Sequence, residues 1–123
     1  MATEEAQAAL GARHVFNAMH DGRPDVTVSC TGTGDVVDAV KFARENNYTV
    51  AVRGGGHSIA GLSAIDGGLL IDLAPMSVVK VDPERRLAYV QGGALWSDVD
   101  QATQEHGLAT PGGVVSDLSL IHI

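Results

Sequence analysis

One cysteine, few aromatic side chains and a shortage of positive charge mark what this sequence has least of. The lone thiol, Cys30, has no internal partner, so the chain carries no disulfide framework and nothing argues for an oxidising compartment. Lys and Arg total 8 against 15 Asp and Glu, a formal charge of −7. Such a surface repels a phosphate backbone, and nucleic-acid binding is not expected. No apolar run approaches the ~18 residues that a membrane-spanning helix needs, so no membrane partner is expected. The opening residues, Met1-Ala2-Thr3-Glu4-Glu5, hold neither a basic nor an apolar stretch, so no secretory leader is visible and a cytoplasmic protein is the expectation.

What is present points to a folded domain with busy loops. The hydrophobic share of 45% is that of a globular chain, and 123 residues make one domain that can bury roughly two-thirds of its unfolded surface. Aromatics supply only 4%, while the 15 glycines are clustered, which signals tight backbone work at particular loops.

The residue pattern predicts an α+β fold. Thr3 to Met19, rich in Ala, Glu and Gln, reads as a helix that stops before Asp21-Gly22-Arg23-Pro24. Asp25 to Ser29 reads as a strand. Thr33 is the expected N-cap of a second helix, with Asp35 in its first turn and Val36, Ala39, Val40 and Ala43 on its apolar face. Thr49 to Val52 reads as a buried strand, completing a small βαβ layer with parallel strands. Leu69–Leu73, Ser77–Asp82 and Leu87–Gln91 read as closely spaced strands, for which antiparallel pairing is expected. Leu95, Val99 and Ala102 mark a further helix closed by Gly107.

The informative segment is Val50-Ala51-Val52-Arg53-Gly54-Gly55-Gly56-His57-Ser58-Ile59-Ala60-Gly61, a strand running straight into three glycines. Glycine lets successive amides converge on one point and lets a ligand approach closely, so the segment reads as a cradle for phosphate or pyrophosphate. Arg53 adds a cation beside it and Ser58 a hydroxyl. A Walker A loop would need a terminal Gly-Lys-Ser/Thr, and no Lys lies between Lys41 and Lys80. The Gly-x-Gly-x-x-Gly fingerprint fits in neither register, since Ile59 stands at the third glycine position counted from Gly54. A plain tight turn would not require the accompanying Arg and His.

Arg53-Gly54-Gly55-Gly56-His57-Ser58 with Gly61 resembles the pyrophosphate loop of FAD-linked oxidases of the vanillyl-alcohol oxidase type, with a PCMH-type FAD-binding domain, and most of all their berberine-bridge-like branch. Leu70-Ile71-Asp72-Leu73, Val90-Gln91-Gly92-Gly93-Ala94 with Trp96, and Gly107-Leu108-Ala109-Thr110-Pro111-Gly112-Gly113 agree in order and spacing, so the resemblance runs over about residues 10 to 117. It implies an FAD-dependent oxidoreductase that passes hydride from a small-molecule substrate to FAD and then electrons to O₂. It assigns the FAD diphosphate to Arg53, Gly54, Gly55, Gly56, Ser58 and Gly61, and makes His57 the candidate for a covalent bond to the flavin. Thr110, Gly112, Gly113 and Ser116 are further candidate flavin contacts. Pro111 to Asp117 contains no Cys for a second covalent link. No metal site is expected, and Asp98 and Asp100 read as a solvated helix face.

The catalytic acid–base residues are expected beyond residue 117, making 1–117 a truncated FAD-binding domain. Leu118-Ser119-Leu120-Ile121-His122-Ile123 departs from the family pattern, and its back-translation resembles a transposon-end sequencing adapter, so 118–123 is expected to be a non-native tail. Two rivals to the oxidoreductase reading stay open: a nucleotide-binding module without redox chemistry, and an inactive fragment.

Overall fold

A computed structural model of the chain describes Val15 and residues 17–120. The helix expected over Thr3–Met19 falls almost wholly outside the described residues, and its last three positions lie in a turn closed by the His20 amide donating to the Asn17 carbonyl. Seven elements follow: β1 (Val26–Ser29), α1 (Thr33–Glu45), β2 (Val50–Arg53), β3 (Leu69–Asp72), β4 (Val79–Asp82), β5 (Leu87–Val90) and α2 (Trp96–Gln104).

The first three strands form one parallel sheet in the order β1-β3-β2. The βαβ unit is there with the expected parallel sense, but β3 lies between its two strands. The expectation that Leu69–Leu73 pairs antiparallel is therefore wrong. The connection before β3 is not a tight turn but the glycine-rich stretch from Gly54 to Gly68, long enough to carry the chain back to the start of the sheet. Full burial of Leu69, Leu70, Ile71 and Asp72 is what a central parallel strand, covered on both faces, demands. Being at an edge, β2 is only partly buried: Ala51 points inward while Val50 and Val52 are about 40% exposed. The antiparallel expectation holds for β4 and β5, which pair from Val79↔Val90 to Asp82↔Leu87.

Side chains of β3 alternate between two packing layers, as the strand period requires. Leu69 and Ile71 join Cys30, Ala39, Ala43 and Met76 beneath α1. Leu70 meets Ala51 and Ile65 on the other face, under the glycine-rich loop. Val40, expected on the apolar face of α1, is half exposed. Small Ala39 and Ala43 let the helix sit close to the sheet and leave Val40 outside the contact. Cys30 is a buried member of this core, and burial, then the charges of Asp35 and Asp72, raise its thiol pKa.

Gly32, not Thr33, is the N-cap of α1, and the capping groups come from further along the helix. The Asp35 carboxylate accepts from the Thr31 amide (2.8 Å), the Thr31 hydroxyl (2.8 Å) and the Gly32 amide (3.2 Å). Those bonds, led by that from the Thr31 amide, hold the Asp35 pKa below its usual value. A carboxylate whose pKa falls on folding stabilises the fold above its unfolded value and loses that contribution as pH drops through the folded one. Asp35→Ala is therefore expected to melt below wild type at neutral pH, with the gap closing as pH falls below about 4. Thermal melts at both ends of that range check this, and an equal gap at both would remove the carboxylate charge as the cause.

Candidate functional site

β1, β2 and β3 end level with one another, with Ser29 and Arg53 each registered against Asp72. Open parallel sheets bind ligands outside such carboxyl ends. There the chain leaves β2 through Gly54, and a cavity of about 390 Å³ opens, lined by Arg53, Gly54, Gly55, His57, Ala74, Ser77, Gly93, Leu95, Asp98 and Asp117. Four of the expected site residues, Arg53, Gly54, Gly55 and His57, thus share one cleft.

Each glycine of the loop has its own reason. A Cβ on Gly54 would come 2.7 Å from the Gly92 carbonyl oxygen, so this residue lets two backbone segments touch. A Cβ on Gly55 would press on the His57 ring at 2.7 Å from Nδ1. Gly56 and Gly61 adopt φ of +75° and +73°, in the left-handed region. Gly61 is also pressed by the His20 ring, 2.5 Å from where its Cβ would stand, so packing alone accounts for this glycine. Ser58 is buried, and its Oγ accepts the Leu62 amide at 3.1 Å, bracing the turn that the Gly61 amide closes onto the Ser58 carbonyl.

His57 is half buried. Its Nδ1 accepts the Ser119 amide at 3.3 Å and lies 3.2 Å from Ser119 Oγ. Ser119 reaches this position because Leu118 accepts the Trp96 amide and Ser119 bridges to Leu95, leaving Ser119 1% exposed.

Thr110, Gly112, Gly113 and Ser116 are exposed and do not line this cleft. Gly112 and Gly113 lie against the Trp96 indole, where a Cβ on Gly113 would sit 2.8 Å from Nε1. Thr110 lines a larger apolar cavity of about 700 Å³ with Leu87, Val90, Trp96, Val99 and Leu108. Ser116 contributes its carbonyl to the Ser97 amide. Asp98 is not the solvated residue expected: its carboxylate accepts the Leu95 amide at 2.8 Å and caps α2. Sequence reasoning gave no role to Asp72 or Gly93. The signals were present, an acid closing the Leu-Leu-Ile run and a second glycine after β5.

The site fits a phosphate-bearing cofactor held by main-chain amides. The glycines strip the loop of side chains at the strand end, where Gly54 and Gly55 line the cleft and a Cβ on either would meet its neighbours at 2.7 Å. Among the described residues, Arg53 is the one Lys or Arg lining the cleft, beside the acids Asp98 and Asp117. Among the described residues no three His, Cys, Asp or Glu side chains are grouped to hold a metal ion, and no helix is long and apolar enough to cross a membrane.

Residues 24–120 match the FAD binding domain family. The chain is 35% identical over 109 residues to the FAD-linked oxidoreductase YgaK of Bacillus subtilis, covering 89% of this chain and 24% of that protein. It is 31% identical over 101 residues to (R)-6-hydroxynicotine oxidase of Paenarthrobacter nicotinovorans, covering 82% and 22% respectively. The crystal structure of 6-hydroxy-D-nicotine oxidase from Arthrobacter nicotinovorans superposes with a TM-score of 0.87 at 26% identity, over 95% of this chain and 26% of that one. Aclacinomycin oxidoreductase superposes at 0.81 with 32% identity, over 95% and 24%. The chain spans about a quarter of the length of these relatives.

Proposed function

This chain belongs to the family of FAD-binding domains, and from that premise we propose that it serves an FAD-dependent oxidoreductase of the berberine-bridge-like branch by holding and orienting the cofactor. The observation that carries this is the cleft at the level ends of three parallel strands, lined by Gly54, Gly55 and His57. When bound, FAD supplies acceptance of a hydride from a small-molecule substrate, with O₂ as the proposed final electron acceptor. Oxidases among the relatives support that choice of acceptor.

The chain's own residues divide the work. Gly54, Gly55 and Gly56 present main-chain amides to the diphosphate without side chains in the way. Ser58 and Gly61 keep the loop's far side folded. His57 is the residue proposed to carry the covalent bond. A neutral imidazole nitrogen is the nucleophilic form.

His57→Ala is expected to abolish covalent flavin. On a denaturing gel soaked in acid, flavin-loaded wild type should give a fluorescent protein band and the variant none. A dark wild-type band from protein shown to contain FAD before denaturation would assign His57 a non-covalent contact instead.

A further inference from the structure

Arg53 and Asp72 occupy registered positions at the ends of adjacent strands, on the face that also carries Ala51 and Leu70. Arg53 Nη1 stands 3.0 Å from Asp72 Oδ1, and the two side chains are only 13% and 9% exposed. The same carboxylate oxygen accepts the Ala74 amide at 3.3 Å, and Arg53 Nη1 reaches the Gly54 carbonyl at 3.5 Å. The Leu73 amide donates to the Arg53 carbonyl at 2.7 Å, locking the two strand exits together. The pair is thus built into the joint where β2 gives way to the glycine loop.

We propose that Asp72 is a positioning residue for FAD: it holds Arg53 across the strand ends, fixes the course of Gly54–Gly56, and leaves the diphosphate to the loop amides in place of the guanidinium. This rests on the FAD-binding reading above. Two physical facts favour it. Removing one member of a buried ion pair leaves an uncompensated charge, so the two residues act as a unit. Among the described residues the remaining charged groups lining the cleft, Asp98 and Asp117, are acidic, so with Arg53 balanced by Asp72 these residues offer an anion no net positive charge. Main-chain N–H groups are then the donors suited to phosphate.

The test is FAD affinity of the 123-residue chain, read by quenching of flavin fluorescence, beside thermal melts without FAD. Wild type is compared with Asp72→Asn, Arg53→Gln and the double variant. Each single change is expected to weaken FAD binding about tenfold, and the double variant to bind no worse than either single one. Arg53→Gln weakening binding while Asp72→Asn leaves it unchanged or tighter would overturn the proposal and make Arg53 a direct ligand of the diphosphate. Lowered melting temperatures with unaltered affinity would also overturn it, leaving a merely structural bridge. Should Asp72→Asn fail to fold, Asp72→Glu keeps the charge but displaces it by one methylene. About fivefold weaker binding with a cooperative melt supports the proposal, and unchanged affinity contradicts it. Failure of wild type itself to bind FAD would refute the underlying reading, a result distinct from any difference among variants.

Discussion

Gly93→Ala is expected to lower the melting temperature by at least ~10 °C, or to abolish the cooperative transition altogether. Gly93 is buried where the strand exit after β5 crosses the turn after β3, and its amide donates to the Met76 carbonyl at 2.9 Å. A Cβ there would fall inside the van der Waals shell of the Leu73 carbonyl oxygen and 2.6 Å from its carbon, with the Met76 oxygen at 2.9 Å. These are backbone atoms, so no side chain can swing aside. Relief requires prying the 73–76 turn from the 91–94 segment, at a cost at the upper end of the ~1–3 kcal/mol typical of overpacking, or beyond it. Total stabilities of single domains are only about 5–15 kcal/mol. Because Gly93 also lines the cleft, ligand binding should fall with stability. Gly34→Ala is the matched control. Nothing lies within 4 Å of its Cβ position, and it stands in the first turn of α1, so the change should raise stability by up to about 1 kcal/mol.

The second large effect is expected at Ile71. It is 1% exposed at the centre of β3, packed with Leu69, Ala39 and Ala43 beneath α1. Ile71→Ala removes three carbons from the layer beneath α1, where the neighbouring Ala39 and Ala43 have no side-chain length with which to close over the space. The expected loss is about 2–5 kcal/mol, seen as a lower denaturation midpoint with unchanged slope. A loss below about 1 kcal/mol would mean that the core is loosely packed and that the α1 layer is not what holds the parallel sheet together.

Much of this molecule was readable from its residues, for reasons that differ by element. α1 announced itself through the 3.6-residue spacing of Val36, Ala39 and Ala43, and the β4–β5 hairpin through short strands around Asp82-Pro83-Glu84. The glycine loop was legible because three glycines after a strand have few physical uses. The place of β3 was not legible. The unbroken Leu69-Leu70-Ile71 run is the pattern of a strand buried on both faces, but sheet order depends on where a long loop returns the chain. The N-cap was misjudged by one residue because Asp35 reaches back to Thr31 and Gly32, a contact that requires the turn to be formed first. The Arg53–Asp72 pair spans nineteen residues and exists only through strand register. The packing of Gly112 and Gly113 against the Trp96 indole likewise exists only in the fold.

The account stands most directly on FAD binding by this chain, and the measurement is reconstitution. Purified protein is mixed with excess FAD, passed through gel filtration, and examined for visible flavin absorbance together with a thermal melt. The account predicts flavin co-eluting with the protein and a melting temperature raised by FAD, since a ligand at 100 times its Kd stabilises the folded state by about 2.7 kcal/mol. A protein that melts cooperatively yet elutes colourless and is unmoved by FAD would contradict it, and stabilisation by ADP alone would then assign the cleft to a nucleotide without redox chemistry.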